Sequence, residues 1–168
     1  MICGKWIIAC LGLAIAGAAC GKEDLGKEKV GLVCVTVYYA THGDPKAAGE
    51  KTAAVPKEIA ERLRKEEKLR FKTYRMLGQD TQALLRSYES WAQPLKPSDE
   101  IMVRFEAQGK PTQQTAVLDL ELWLSRNKTV KTDARLEVDH PLFVLGPKWR
   151  GGRLIIAVAL VQEQKPGK

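Results

Sequence analysis

Apolar and polar positions alternate over most of the second half of the chain, and this period of two is typical of β-strands with one solvated face. Three segments show it clearly, and we predict a strand for each: 101–107, 116–124 and 130–138. The break between the last two, at residues 126–128, is short, so they are expected to form a hairpin. Antiparallel pairing is therefore the predicted basis of the fold.

Other strands are predicted from composition. Residues 30–40 are rich in β-branched and aromatic side chains, and residues 154–161 are apolar on both faces, so both are expected to be buried strands. Shorter strands are predicted at 71–77 and at 142–145, the latter paired with 154–161. Residues 80–91 fit either a helical stripe or a strand pair broken near residue 87. We favour an irregular strand for this segment because the segments on both sides of it are predicted strands.

One clear helix is predicted from Pro56 to about Lys68, because proline is well tolerated in the first turn and Ile59 and Leu63 share one stripe. Residues 57–72 hold seven basic and four acidic side chains, which we interpret as a solvated face rather than a nucleic-acid stripe. The predicted fold class is α+β: an antiparallel twisted β-sheet or small β-sandwich with one main helix packed on one side.

The first nineteen residues are predicted to be a signal peptide. Lys5 precedes a charge-free run of apolar and small residues, 6–19, which is too short to span a membrane. Cleavage before Ala19 would release a soluble exported protein. The alternative is cleavage before Cys20, since the small residues running into this cysteine resemble the lipobox of bacterial lipoproteins, although Gly17 stands where that pattern usually has Leu. The protein is therefore predicted to lie in the periplasm, to be held on the membrane by a lipid anchor at Cys20, or to be secreted into the medium.

The domain organisation follows from this assignment. We predict a signal peptide at 1–19, a flexible polar tether at 20–29, a single α+β domain at 30–162 and a disordered tail at 163–168. After cleavage the chain keeps at most Cys20 and Cys34. Cys34 lies in an apolar run and is expected to behave as a small hydrophobe, with a disulfide to Cys20 as the alternative if Cys20 is not acylated.

Two sequence segments also carry a family resemblance. They are the segment after the helix, Arg70 to Gly78 (RFKTYRMLG), and the closing Leu145-Gly146-Pro147 with Gly151 to Ala157 (GGRLIIA). With the first strand and the Pro-started helix, they resemble an uncharacterised type of exported bacterial domain over about residues 30–161. The resemblance implies an exported α+β domain. It brings no activity and no functional residue with it.

The net charge and the missing sequence motifs limit the classes of function that fit this chain. The 168 residues include 27 Lys and Arg against 20 Asp and Glu, a formal charge of +7 that favours anionic partners. The common hydrolase and nucleotide-binding motifs are missing from the sequence, and we expect no metal or cofactor. An enzyme of unrecognised type remains the alternative. It would use His42 with Asp44, or three carboxylates predicted to share one strand face: Asp133, Glu137 and Asp139.

The predicted binding site is a hairpin tip that combines cations with one indole and holds no acid. Its residues are Lys148, Trp149, Arg150 and Arg153. Trp149 would stack on a ligand while the cations contact phosphate or carboxylate groups; alternatively, Trp149 folds back onto the sheet. We therefore predict a noncatalytic envelope module that binds a partner protein, a cell-wall polymer or an anionic lipid surface. Export disfavours a nucleic-acid partner.

Overall fold

The computed structural model of the protein describes residues 24–112 and 114–161. These residues form nine strands and one α-helix, joined by turns and by short 3-10 segments. In chain order the elements are β1 (Lys29–Thr41), β2 (Ala53–Ala54), α1 (Lys57–Lys65), β3 (Thr73–Leu85), β4 (Ser90–Ala92), β5 (Ile101–Gln108), β6 (Thr115–Leu124), β7 (Asn127–Glu137), β8 (Leu142–Trp149) and β9 (Gly152–Val161).

The strands form two antiparallel sheets. The first has the order β2-β3-β1-β9-β8, and the second has the order β4-β5-β6-β7. Strand β1 lies at the centre of the first sheet, paired with β3 on one side and β9 on the other. Because both faces of this sheet are covered, the apolar runs of β1 and β9 lack strict alternation, as the sequence indicated.

The larger core lies between the two sheets. The first sheet contributes Val33, Val35 and Val37 from β1, together with alternate residues of β9. The second sheet contributes the apolar positions of β5, β6 and β7, among them Phe105 and Leu118, which are fully buried. The predicted alternation over these three strands is confirmed, since their charged positions lie on the outer face of the second sheet.

Helix α1 covers the outer face of the first sheet. Leu63 is fully buried there with Ala60, against Tyr38 and Tyr74 of the sheet. The chain is therefore layered as helix, five-stranded sheet and four-stranded sheet. The predicted α+β class, with antiparallel strands and one main helix, is confirmed, and the protein is more sheet-dominated than that prediction suggests because it holds two full sheets.

Two local expectations differ from the structure. The helix ends at Lys65, because a 3-10 turn at Glu67–Leu69 redirects the chain and buries Leu69 in the helix-side core. The ambiguous segment 80–91 is split between the end of β3 and the start of β4, with a break at residues 86–88. The strand interpretation is thus confirmed there, and β3 runs eight residues beyond the predicted end at Leu77.

Residues 24–28, which belong to the predicted tether, contact the domain. Leu25–Lys27 form a 3-10 turn, the Tyr88 hydroxyl donates to Asp24 Oδ2 at 2.8 Å, and Arg86 pairs with Glu28 at 2.6 Å. Strand β1 then begins at Lys29. The predicted signal peptide, Cys20 and the predicted tail at 163–168 lie outside the described residues.

Two further findings concern the predictions on anchoring and cysteine chemistry. Across residues 24–112 and 114–161, no helix has the length and apolarity needed to cross a membrane. Cys34 is a free, half-buried thiol in β1, with its Sγ 3.9 Å from the Thr36 hydroxyl.

Candidate functional site

The predicted binding residues lie on the β8–β9 hairpin. Its two-residue turn is Arg150 and Gly151, with φ of 44° and 76°. Positive φ at both turn positions is the geometry that matches the twist of hairpin strands, and it favours Gly or Asn. Arg150 is therefore held in an unfavourable conformation, and the Tyr39 hydroxyl, which donates to its carbonyl oxygen at 2.9 Å, fixes that peptide against β1.

Trp149 lies against the protein rather than standing free. Its indole ring is half-buried and makes an edge-to-face contact with Tyr39, with ring centroids 5.6 Å apart. The Arg150 guanidinium carbon lies 4.4 Å from the Trp149 ring centroid, so the cation covers one face of the indole. The contacts with Tyr39 and Arg150 leave less indole surface for a ligand than a free side chain would offer.

The two other cations of the hairpin differ in their constraints. Arg153 donates to the Gly146 carbonyl oxygen through Nε at 3.3 Å and Nη2 at 3.2 Å, which ties its guanidinium across the hairpin. The Lys148 side chain is exposed, and among the described residues its ammonium group forms no hydrogen bond or ion pair. The hairpin thus presents one mobile ammonium and two guanidinium groups whose positions are set by the fold.

The hairpin forms one wall of a cleft of about 500 Å³, which we call the hairpin cleft. The opposite wall is the segment after β1, including His42, and Phe71. The His42 ring lies against the Phe71 ring with centroids 5.0 Å apart. The structure therefore brings together two groups that the sequence analysis considered separately, the cationic hairpin and His42.

A larger cleft of about 970 Å³ lies between the 45–55 segment, helix α1 and the start of β3, and we call it the helix cleft. A third, of about 410 Å³, lies between the helix cleft and the hairpin. Gly49 and Thr52 line both the helix cleft and the third cleft, while Trp149 and Arg150 line both the third cleft and the hairpin cleft. The three clefts are therefore neighbours on the surface of the protein.

The surface made by these three neighbouring clefts is strongly cationic. Glu50 and Glu61 are its only carboxylates within the described residues, against nine cationic side chains. The nine are Lys46, Lys51, Lys57, Arg64, Lys72, Arg75, Lys148, Arg150 and Arg153. We call these nine side chains and the clefts that they line the basic surface. Within residues 24–112 and 114–161, none of the nine lies within ion-pair distance of a carboxylate.

Charges on the outer face of the second sheet are arranged differently. Arg104 pairs there with Glu106 at 2.8 Å and Asp119 at 3.0 Å, and also with Glu89. The hydrogen bond that Arg104 donates to Glu89 is the main reason that the pKa of Arg104 is raised. Lys128 and Lys131 pair with Glu121. These cations are therefore neutralised within the sheet, whereas those of the basic surface are not.

The residues of the enzyme alternative do not converge. His42 follows β1 at the hairpin end of the first sheet, whereas His140, the second of the two histidines and the other candidate base at neutral pH, precedes β8 at its other end. An eight-residue strand such as β8 spans roughly 25 Å, so the two imidazoles are far apart. Asp44 caps the 3-10 turn at Pro45–Ala48 by accepting from the Lys46 N–H at 2.9 Å, a turn role. No group of three metal-ligating His, Cys, Asp or Glu side chains occurs among the described residues.

The predicted carboxylate face is also dispersed. Asp133 and Glu137 are four residues apart on β7, roughly 13 Å along the strand, which is too far for paired acid–base work. Asp133 accepts from Gln108 at 2.8 Å, and Glu137 lies 3.5 Å from Arg135. Asp139 lies beyond the end of β7 at φ 65°, and its carbonyl oxygen accepts from Arg62. These three residues have separate structural partners.

Sequence reasoning missed the helix-cleft half of the basic surface. Its cations come from the 45–55 segment, from α1 and from β3, so no short motif contains them. The excess of basic residues over 57–72 was the available signal, and the charge count alone did not show that Lys57, Arg64 and Lys72 face a common cleft. In comparisons with protein families, curated proteins and solved structures, no match to this chain was found. The chemistry of the basic surface is therefore the basis for a functional proposal.

Proposed function

We propose that the protein is a noncatalytic, exported binding module that holds an extended anionic polymer across its basic surface. The observation that carries this proposal is the set of nine cationic side chains around three neighbouring clefts, with two carboxylates and no internal ion pairs among the described residues. Placing that much like charge together is unfavourable in the free protein. A bound polyanion would relieve this repulsion.

The shape of the surface supports a polymer rather than a bilayer or a small acid. A flat membrane touches only the rim of a cleft, whereas a linear chain of anionic groups can enter neighbouring clefts in turn. Successive groups of such a chain would meet the cations of the helix cleft, then Lys51, then the hairpin cations. A single small anion would occupy one cleft and leave most of this charge unused.

The predicted signal peptide supports an envelope setting, where wall polymers provide anionic chains of this kind. A noncatalytic role is supported by the separation of His42 from His140 and by the structural partners of Asp133 and Glu137. A lipid anchor at Cys20, proposed on the sequence alone, would hold the domain at the membrane surface. The basic surface would then remain free to contact the polymer.

The test measures binding of soluble inorganic polyphosphate to the full chain, purified from a bacterial host, by calorimetry at two salt concentrations. Lys51, Lys72 and Lys148, one from each cleft, are replaced together by Gln. The matched control replaces Lys27, Lys68 and Lys110, exposed lysines outside the basic surface, and has the same net charge. Each lysine near an anionic surface contributes about 1 kcal/mol, so the first triple variant should lose about a hundredfold in affinity.

We expect the control to lose less than about threefold, and wild-type affinity to fall steeply with salt. Equal losses in the two triple variants would show that net charge alone is responsible and would overturn the proposal. So would failure of the wild type to bind polyphosphate at low salt. Binding to phosphatidylglycerol vesicles that polyphosphate cannot displace would replace the polymer with a membrane as the partner.

A further inference from the structure

The helix cleft is lined by more cationic side chains than either of the other two clefts of the basic surface. Two carboxylates, Glu50 and Glu61, line it, and five cations surround them. The five are Lys46, Lys57, Arg64, Lys72 and Arg75. The excess of three positive charges exceeds what a monocarboxylate would neutralise, and it suits a phosphate group, which carries about −1.5 to −2 as a monoester. The volume, about 970 Å³, lies at the upper end of the usual range for small-ligand sites.

Arg75 is the most firmly positioned cation of this cleft. Its Nε donates to Thr52 Oγ1 at 2.9 Å, and its Nη2 donates to the Thr52 carbonyl oxygen, also at 2.9 Å. Its Nη1 has no hydrogen-bond partner among the described residues. The half-buried guanidinium is thus fixed in orientation while one nitrogen keeps its donors for a ligand, so less rotamer entropy is lost on binding.

Arg64 is positioned in a second way. Its guanidinium carbon lies 5.5 Å from the centroid of the Tyr74 ring, whose hydroxyl donates to the Leu69 carbonyl oxygen. Stacking on a ring uses none of the N–H donors of the guanidinium. Arg64 and Arg75 therefore approach the cleft from α1 and β3 with donors available, while Lys46, Lys57 and Lys72 add mobile ammonium groups.

We propose that the helix cleft is a phosphate subsite, in which Arg75 and Arg64 contact the phosphate oxygens and Thr52 is a positioning residue that holds Arg75. This inference rests on the proposed function, because the phosphate would be a monoester at an end or on a side group of the bound polymer. It adds a specific chemistry to a surface that otherwise attracts any polyanion. In this subsite the two guanidinium groups would recognise the arrangement of the phosphate oxygens, whereas the lysines would contribute positive charge.

The experiment uses variants that conserve charge, so it is independent of general electrostatic attraction. Binding of inorganic diphosphate and of malonate, a dicarboxylate, to the full chain is measured by calorimetry. The variants are Arg75→Lys, Thr52→Val and Thr52→Ser, and the control is Arg62→Lys, whose guanidinium bonds the Asp139 carbonyl outside the helix cleft. Thermal unfolding of every variant is measured in parallel, so that loss of binding is not confused with loss of fold.

We expect the wild type to bind diphosphate at least about tenfold more tightly than malonate. Arg75→Lys and Thr52→Val should each weaken diphosphate binding by about tenfold, while Thr52→Ser, which keeps the hydroxyl, and Arg62→Lys should bind as the wild type does. Diphosphate should also displace polyphosphate from the wild type, as expected if a phosphate group of the polymer binds in the helix cleft.

Two results separate this inference from the proposed function. If diphosphate and malonate bind equally and Arg75→Lys has no effect, while the triple lysine variant still loses polyphosphate binding, the phosphate subsite is wrong and the polymer-binding function stands. If diphosphate binds with the expected dependence on Arg75 but polyphosphate does not bind, the site serves a free small phosphate. The proposed polymer function is then wrong.

Discussion

The hydroxyl of Tyr39 donates a 2.9 Å hydrogen bond to the carbonyl oxygen of Arg150, which lies 111 residues later in the chain. This bond joins the central strand β1 to the turn of the β8–β9 hairpin, where Arg150 has a φ of 44°. The same tyrosine ring supports Trp149. One side chain thus fixes both the backbone of the hairpin turn and the indole within it.

The Tyr39→Phe substitution removes this hydrogen bond and keeps the ring. We expect it to lower the free energy of unfolding by about 1 kcal/mol, because the Arg150 carbonyl loses a partner while the aromatic packing is retained. Urea unfolding measures the change. The control is Tyr88→Phe, which removes the hydrogen bond between the exposed Tyr88 and Asp24 and should change stability less. An equal or larger loss in the control would contradict the assigned role of Tyr39.

Gly78 in β3 lies where the chain passes close to Pro94. A Cβ at Gly78 would be 2.1 Å from the Pro94 carbonyl oxygen, whereas a Cβ at Gly31 in β1 would meet its nearest neighbour at 3.5 Å, an ordinary contact. We expect Gly78→Ala to destabilise the protein by about 1–3 kcal/mol through overpacking, and Gly31→Ala to have a much smaller effect. Thermal and urea unfolding of both variants check this, and similar values for the two would refute the close approach.

Leu63 packs helix α1 against the first sheet, and α1 forms one wall of the helix cleft. The side chain is fully buried between α1 and the first sheet, so Leu63→Ala should cost about 2–5 kcal/mol of stability. Ile59, which is half-buried on the same helix, serves as the control, and Ile59→Ala should cost less. Urea unfolding gives both values. A larger loss for Ile59→Ala would show that α1 packs through a different stripe.

Asp80 links the end of β3 to the segment around Gln93. Burial by itself raises the pKa of this carboxyl, but hydrogen bonds from the Gln93 N–H, Gln82 and Lys96 outweigh it, and the pKa lies below its usual value of 3.8. A carboxyl whose pKa is lowered in the folded state contributes stability that is present above the unfolded pKa. That contribution is lost as the pH falls through the folded pKa.

The Asp80→Asn variant should therefore be less stable than the wild type near pH 7. The gap should narrow as the pH falls below about 4, because protonation removes the same interactions from the wild type. Urea unfolding of both proteins at about pH 7 and about pH 3 measures the gap. A gap that stays constant with pH would show that the Asp80 charge does not contribute to stability.

The predictions for β1, β5, β6, β7 and β9 from the sequence hold because each depends on local information. An apolar side chain at every second position, as in Ile101, Val103 and Phe105, indicates that one face of the strand is buried. This indication does not depend on which element packs against that face. Pro56 likewise marks the start of α1, since its missing N–H costs nothing there. The end of α1 escaped prediction because the burial of Leu69 is a tertiary effect.

The sequence by itself determined the positions of β1, β5, β6, β7 and β9, where the main helix begins, and that the protein carries an excess of positive charge. Only the tertiary structure decided that the strands divide into two sheets and that Lys46, Lys72 and Lys148 meet on one basic surface. The physical reason is the distance along the chain over which each kind of information acts. Periodicity reports the environment of each residue within its own element, whereas a charged cluster depends on which distant segments the packing of the two sheets and the helix places side by side.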